Sequence, residues 1–397
     1  MTILSGADVV LHDRILPAAS IVIRDGVIEE VLPQRRPDSP ETIDVAGQVI
    51  LPGFIDVHVH GIEDVDVLDG LDAVASVAAR LTRYGVTGFC PTSVACSPQR
   101  LTTLLRAIAA ARAAAPSGAR VLAAHLESNF INPAWNGAQP AACLRTADGA
   151  FGPPGAAAPS RAPEPFSARD VLRVIEQHRE NVGIVTVAPE LPGGLELVRW
   201  LSRLGIRVSL GHSGATYDEA KAAIDAGARH ATHLFNRMST MSARSPGVVG
   251  AVLESTDVFA EVICDGHHVH PSLITVAIRA KSIARLMAIT DGTAAAGLPV
   301  GSRSRLGDQT IIAGNRTALL EDGTLAGSVL TMDGAFRMLV SLGLTLPEAS
   351  RMCSGTPADA LRLVGVGAIA AGNHADLVVM SRDGRVKQTY VAGRLMS

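Results

Sequence analysis

Apolar and polar positions alternate in two different rhythms along the chain. Near the start, "IVIRDGVIEEV" (21–31) carries β-rich runs around Asp25-Gly26. Near the end, "HADLVVMSRDGRVKQTYVAGR" (374–394) does the same around Asp383-Gly384. Short alternating runs around Asp-Gly are hairpin signals. Between them the period changes. Apolar strand-like runs lie near 54–60, 86–92, 120–126, 182–188, 206–211, 229–233, 257–264 and 285–290. Most are followed by Ala/Leu-rich stretches of helical period, such as "LDAVASVAARLTRYG" and "TYDEAKAAIDAGA". Alternating strand and helix predicts βαβ units and a parallel sheet. Eight such runs fit a closed (β/α)8 TIM-like barrel. A doubly wound open sheet is the competing layout, weakened because no GxGxxG follows the first strand of the middle. The expected organisation is a small β-sandwich domain built from both termini, comprising residues 1–50 and the end of 351–397, around a barrel at 51–350.

Composition narrows this picture. Of 397 residues, 47% are hydrophobic, enough for a large core, and no apolar run approaches the ~18 residues of a membrane helix. The first residues lack the basic and long apolar regions of a signal peptide. A formal net charge of −3 with mixed signs gives no basic patch for nucleic acid or an anionic membrane. Five cysteines without a CxxC pair suit reduced thiols, hence a cytoplasmic location, and Cys90 and Cys264 read as core. The stretch 146–166 is rich in Pro, Gly and Ala and reads as a surface loop, with a lid over a pocket as its functional alternative.

The candidate chemistry lies where the middle runs end. The first ends in His58 and His60, the third in Glu127, the fifth in His212, the sixth in His233 and the eighth in Asp291. In a barrel these positions meet at one mouth. Several imidazoles and carboxylates buried together need a neutralising centre, and a divalent metal such as zinc or iron suits that donor set. Residues i and i+2 of a strand share a face, so His58 and His60 are expected to point together while Val57 and Val59 face away. His125, His230, His267 and His270 are expected not to be ligands.

Longer motifs add a resemblance. "LPGFIDVHVHG", "HLE", "GHSGATYDEAKAAIDAGARHATHLFNRMS", "ICDGHHVHP" and "AITDGTAAAGLP" together resemble the N-acetylglucosamine-6-phosphate deacetylase family of the amidohydrolase superfamily. The resemblance implies hydrolysis of an N-acetyl amide on an amino sugar, with Glu127, His212 and His233 holding the principal metal ion. It implies Asp291 as catalytic acid/base and His268 as the contact to the substrate carbonyl. His58 and His60 match ligands of the first strand, giving one or two ions. Arg244 matches a phosphate-binding position. Asn236, Leu325, Ala326 and Gly327 would line the sugar site. Relatives also suggest a homodimer.

Several positions depart from the family pattern. Ser128-Asn129-Phe130 replaces Gly-Pro-Phe, Asn136-Gly137-Ala138-Gln139 replaces Lys-Gly-Ala-His, and Arg237 stands where a small residue is usual. The expectation is that these changes fall on the substrate rim and leave the hydrolytic centre intact. An amidohydrolase for another N-acyl substrate, and an inactive scaffold, remain the alternatives.

Overall fold

The computed structural model describes residues 1–37, 39–151 and 165–397. Most of the 146–166 loop, residues 152–164, lies outside the described residues. All eight middle runs form strands: β1 (Phe54–Val59), β2 (Val86–Ser93), β3 (Ala124–Leu126), β4 (Val182–Val187), β5 (Arg207–Leu210), β6 (Ala228–Ala231), β7 (Phe259–Ile263) and β8 (Leu286–Ile289). Each runs parallel to the next. The third run is broken, with Arg120–Val121 pairing separately along β2. A helix follows each strand: α1 (Ala73–Leu81), α2 (Pro98–Ala113), α3 (Ala168–Gln177), α4 (Gly194–Arg203), α5 (Tyr217–Asp225), α6 (Gly247–Glu254), α7 (Pro271–Lys281) and α8 (Met332–Ser341). The cylinder closes at the C-terminal rim. There Asp291 N donates to His58 O at 2.9 Å and His60 N donates to Gly292 O at 2.8 Å.

The helix starts are set by short polar side chains. Thr216 accepts from Glu219 N while Glu219 reaches back to Thr216 N, a capping box that starts α5. Ser167 and Asp170 do the same for α3. The lower barrel interior is apolar, packing Ile55, Val57, Cys90, Ile184, Ile263, Met287 and Ile289, with Ala358 and Ala360 closing the bottom.

The terminal strands form one sheet, as the two Asp-Gly signals suggest. Val49–Pro52 pairs antiparallel with Leu377–Met380, joining the two ends of the chain. Asp25 (φ 51°) and Gly26 (φ 80°) both take the left-handed conformation that a two-residue hairpin turn requires. The domain is fastened to the barrel by an ion pair from Arg120 Nε to Asp376 Oδ2 at 2.7 Å. An antiparallel sheet (Arg303–Leu306, Gln309–Ala313, Thr317–Leu320, Leu325–Ser328) is inserted between β8 and α8, a feature the middle rhythm does not foretell. Its last strand is stitched to the rim, with Ser328 N donating to Asp291 O at 2.8 Å.

Candidate metal centre

His58 and His60 do converge, but by a different backbone route from simple alternation. Asp56 pairs with Phe89 and Val59 with Pro91, so three steps on β1 oppose two on β2. This bulge shifts the phase. Val57 therefore packs into the barrel interior rather than away from it, while Val59 joins the outer core under the helices. Asp56 accepts from His58 N at 3.2 Å and from Thr290 Oγ1 at 2.5 Å, tying β1 to β8. Burial pushes its carboxyl up to about 6 despite these bonds.

Glu127, at the end of β3, stands between two groups of imidazoles. Its Oε1 lies 2.8 Å from His212 Nε2 and 2.8 Å from His233 Nε2. Its Oε2 lies 3.4 Å from His60 Nε2. His58 Nε2 and His60 Nε2 lie 3.3 Å and 3.2 Å from Asp291 Oδ1. All six residues are buried. His212, His233 and Asp291 take positive φ values of 49°, 29° and 49°, and such strain concentrates at functional sites.

The far ring nitrogens decide what the near ones offer. His212 Nδ1 is 2.8 Å from Trp135 O, and His60 Nδ1 is 3.0 Å from Thr92 O. A carbonyl only accepts, so each Nδ1 carries the proton and each Nε2 presents a lone pair. His58 Nδ1 donates likewise to Glu261 Oε2 at 2.9 Å. The result sets Nε2 of His212 3.1 Å from Nε2 of His233, and Nε2 of His58 3.3 Å from Nε2 of His60. At His58 and His60 two lone pairs face each other beside carboxylates, and they repel unless a cation lies among them. The residues thus fit a divalent ion at Glu127, His212 and His233, and a second ligand group at His58, His60 and Glu127. With protons as the only cations, burial opposes charge on His58 and His60, yet the surrounding carboxylates raise them to about 9 and about 10. Burial likewise opposes ionisation of Glu127, but His212, His233 and His60 hold it well below the usual range.

Several functional residues escape the sequence reasoning. Glu261, fully buried on β7, accepts from His58 Nδ1, from His230 Nε2 at 2.8 Å and from His233 N at 3.1 Å. A lone carboxylate inside an apolar run ("VFAEVIC") is the signal for such a buried partner. His125 spends both ring nitrogens on the protein, 3.1 Å from Val57 O and 2.9 Å from Thr186 Oγ1, and burial lowers it to about 3. Both of its ring nitrogens are thus engaged inside the protein. Asp265 Oδ2 accepts from His268 Nδ1 at 2.6 Å. Burial disfavours charge on His268, but Asp265 outweighs this and raises its pKa.

A cavity of about 70 Å³ opens over the centre, lined among others by Gln139, Asn236, Arg237, His268, Leu325 and Gly327. Gly327 (φ 72°) is required there, because a Cβ would stand 2.9 Å from Asp291 O. One expected lining residue lies elsewhere. Ala326 turns into the core by strand alternation. Arg244 is exposed in the Ser242–Ser245 turn and does not line the cavity. The departures from the family pattern also divide. Ser128 and Asn129 are buried and donate to backbone carbonyls of Thr186, Cys96 and Cys143, so they belong to packing rather than to the rim. Gln139 does reach the centre, donating through Nε2 to Glu127 Oε2 and accepting from Ala95 N.

Known proteins bear directly on this geometry. The chain is 35% identical to an N-acetylgalactosamine-6-phosphate deacetylase of Escherichia coli O157:H7, covering 94% of each. It is 33% identical to the N-acetylglucosamine-6-phosphate deacetylase of Bacillus subtilis, covering 98% of this chain and 95% of the relative. A mutant N-acetyl-D-glucosamine-6-phosphate deacetylase from Mycobacterium smegmatis, solved with N-acetyl-D-glucosamine-6-phosphate, superposes with a TM-score of 0.87 at 29% identity over 100% of this chain and 99% of that one. Residues 49–396 match the model of the amidohydrolase family. With its eight-stranded barrel and a rim of clustered histidines and carboxylates, the chain belongs to the amidohydrolase family.

Proposed function

We propose that this protein hydrolyses the N-acetyl amide of an amino sugar phosphate, with N-acetylglucosamine 6-phosphate and its galactose epimer as first candidates. The observation that carries the reading is the convergence of Glu127 Oε1 with the Nε2 atoms of His212 and His233, beside Asp291. The relatives named above act on such sugars by name, which supports the same substrate class here.

Glu127, His212 and His233 would hold the principal ion, with His58 and His60 available to a second; zinc suits this imidazole–carboxylate set. When bound, the ion supplies the Lewis acidity that lets an amide be hydrolysed near neutral pH. Asp291 takes the proton from the attacking water. Burial disfavours its charge, but His60 and His58 lower its pKa, so it begins as a carboxylate able to act as base. Asp291 then returns the proton to the departing amine, because an amide anion is too poor a leaving group. His268, kept protonated at Nδ1 by Asp265, turns Nε2 toward the substrate carbonyl, and as imidazolium it donates there to the developing oxyanion. Asn236 and the Leu325–Gly327 strand border the sugar.

The test is acetate release from N-acetylglucosamine 6-phosphate, N-acetylgalactosamine 6-phosphate and the unphosphorylated sugars, with metal counted by elemental analysis and assembly state by sedimentation. Acetate from a sugar phosphate by metal-containing protein, sedimenting as a homodimer, is expected. Metal-replete protein that releases none overturns the substrate assignment.

A further inference from the structure

The loop that follows β3 holds two members of the principal ligand group from behind. Asn132 N donates to His212 O at 3.0 Å, and Trp135 O lies 2.8 Å from His212 Nδ1. Further along the same loop, Gln139 donates through Nε2 to Glu127 Oε2. The loop is fastened to itself by Gln139 N on Asn136 O at 3.0 Å and by Asn136 Nδ2 on Gln139 O at 2.9 Å. Gln309 Nε2 donates to Ala138 O and ties it to the inserted sheet. Gln139 itself is buried.

A neighbour fixes the orientation of the Gln139 amide. Ala95 N, a backbone donor, lies 2.7 Å from Oε1. Oε1 therefore accepts, and Nε2 is the atom turned to Glu127. An amide nitrogen can only donate. The family pattern has a histidine here, whose imidazole can offer a lone pair to a metal when its proton sits on the other nitrogen. Gln139 has no such option.

Its donation falls on the oxygen that bears on the number of ions. Glu127 Oε1 is 2.8 Å from both His212 Nε2 and His233 Nε2. Oε2 is the oxygen 3.4 Å from His60 Nε2. For Glu127 to bridge two ions, Oε1 must serve the first and Oε2 the second. An N–H on Oε2 draws on the electron pairs a second ion needs, and it holds the carboxylate plane with Oε1 toward His212 and His233.

We propose that Gln139 is a positioning residue that keeps Glu127 in a one-ion arrangement, holding Oε1 on the principal ion and withholding Oε2 from a second ion at His58 and His60. The proposal rests on the metal-centre part of the reading above and is independent of the choice of sugar. It assigns the ion count to a residue outside the ligand set.

The experiment compares full-length wild type, Gln139→Met and Gln139→Glu, each dialysed against graded free zinc, with zinc per chain counted by elemental analysis. Manganese-loaded samples are followed in parallel by electron paramagnetic resonance, where two ions sharing a carboxylate couple and a lone ion does not. Wild type is expected to take up one zinc tightly and a second only at much higher free zinc. Gln139→Met has a similar length and no donor. Its second zinc should bind about 10- to 100-fold more tightly, as release of a hydrogen bond to a charged group implies, while its first binds more weakly. Gln139→Glu keeps an acceptor for Ala95 N, which guards against misfolding, and should move the second ion in the same direction. Both variants should show a coupled manganese pair where wild type shows a lone ion. A general loosening of the loop weakens both ions and cannot strengthen one. Weaker binding of both ions, or unchanged zinc binding with a change only in KM for the sugar, overturns the proposal. Wild type that binds two zinc ions with equal affinity also overturns it. One-zinc wild type with both variants shifted as expected, but with no acetate released from any sugar phosphate, overturns the deacetylase reading and leaves this proposal standing.

Discussion

Val57 and His58 are neighbours on one strand, yet they belong to different halves of the barrel. Val57 packs among Ile55, Cys90, Ile184, Ile263, Met287 and Ile289, with no polar partner to satisfy. His58 faces His60 and Asp291, and its ring is held from behind by Glu261. The lower half is stable because apolar area leaves water, worth about 1.5–3 kcal/mol for each fully buried large side chain. The upper half buries charge and takes left-handed backbone at three of the six clustered residues, both of which oppose folding. It is tolerated because every carboxylate there is paired. One cylinder thus separates a layer that maintains the fold from a layer that it has to support.

Mutations should separate the two layers, and the largest effect is expected at the shared ligand. Glu127→Ala should lose tightly bound divalent metal and reduce acetate release to background; full metal occupancy in that variant would remove Glu127 from the ligand set. Asp291→Asn should retain its metal, because the three principal ligands are untouched, while kcat falls by about 10²–10⁴, the usual range for lost acid–base catalysis. Near-normal kcat would refute its role. In the lower layer, Ile184→Ala should destabilise by about 2–5 kcal/mol in denaturant titrations yet leave kcat/KM of the folded protein nearly unchanged. A large kinetic defect with little loss of stability would contradict the division drawn here.

The smallest effect concerns Asp56, on the wall where β1 meets β8. Burial raises its folded pKa to about 6, above its unfolded value near 4. A raised carboxyl binds its proton more tightly when folded, so its contribution is fully present below about pH 4. That contribution is lost as pH rises through about 6. Asp56→Asn keeps an acceptor for His58 N without the charge. It should therefore stabilise the protein by roughly 1–2 kcal/mol at pH 8 and flatten the decline between pH 4 and 6. Equal pH–stability curves for the two proteins would show that the carboxylate is not strained.

Much of the site was legible because barrel topology turns scattered strand ends into neighbours. His58, His60, Glu127, His212, His233 and Asp291 each follow an apolar run, and all six meet at the C-terminal rim. The histidine pair converged for a reason that alternation does not contain. A bulge between Asp56 and Val59 shifted the phase and left Val57 inside. Glu261 and Asp265 were missed because their function is to hold other side chains, and such roles exist only through contacts across the sheet or within a turn. The inserted sheet at 303–328 went unnoticed because its short strands follow neither the barrel's rhythm nor an Asp-Gly hairpin signal at every turn.

The sequence by itself determined the order of elements, the polar groups at the strand ends and the two Asp-Gly turns, since period and turn chemistry act over a few residues. Only the tertiary structure decided which imidazole nitrogen faces the cluster at the rim, that Ser128 and Asn129 serve packing, and that Arg237 rather than Arg244 borders the cavity. Those outcomes depend on partners far apart in the chain, such as Trp135 behind His212 or Gly137 beside Arg237. No local pattern encodes a distance between residues that only folding brings together.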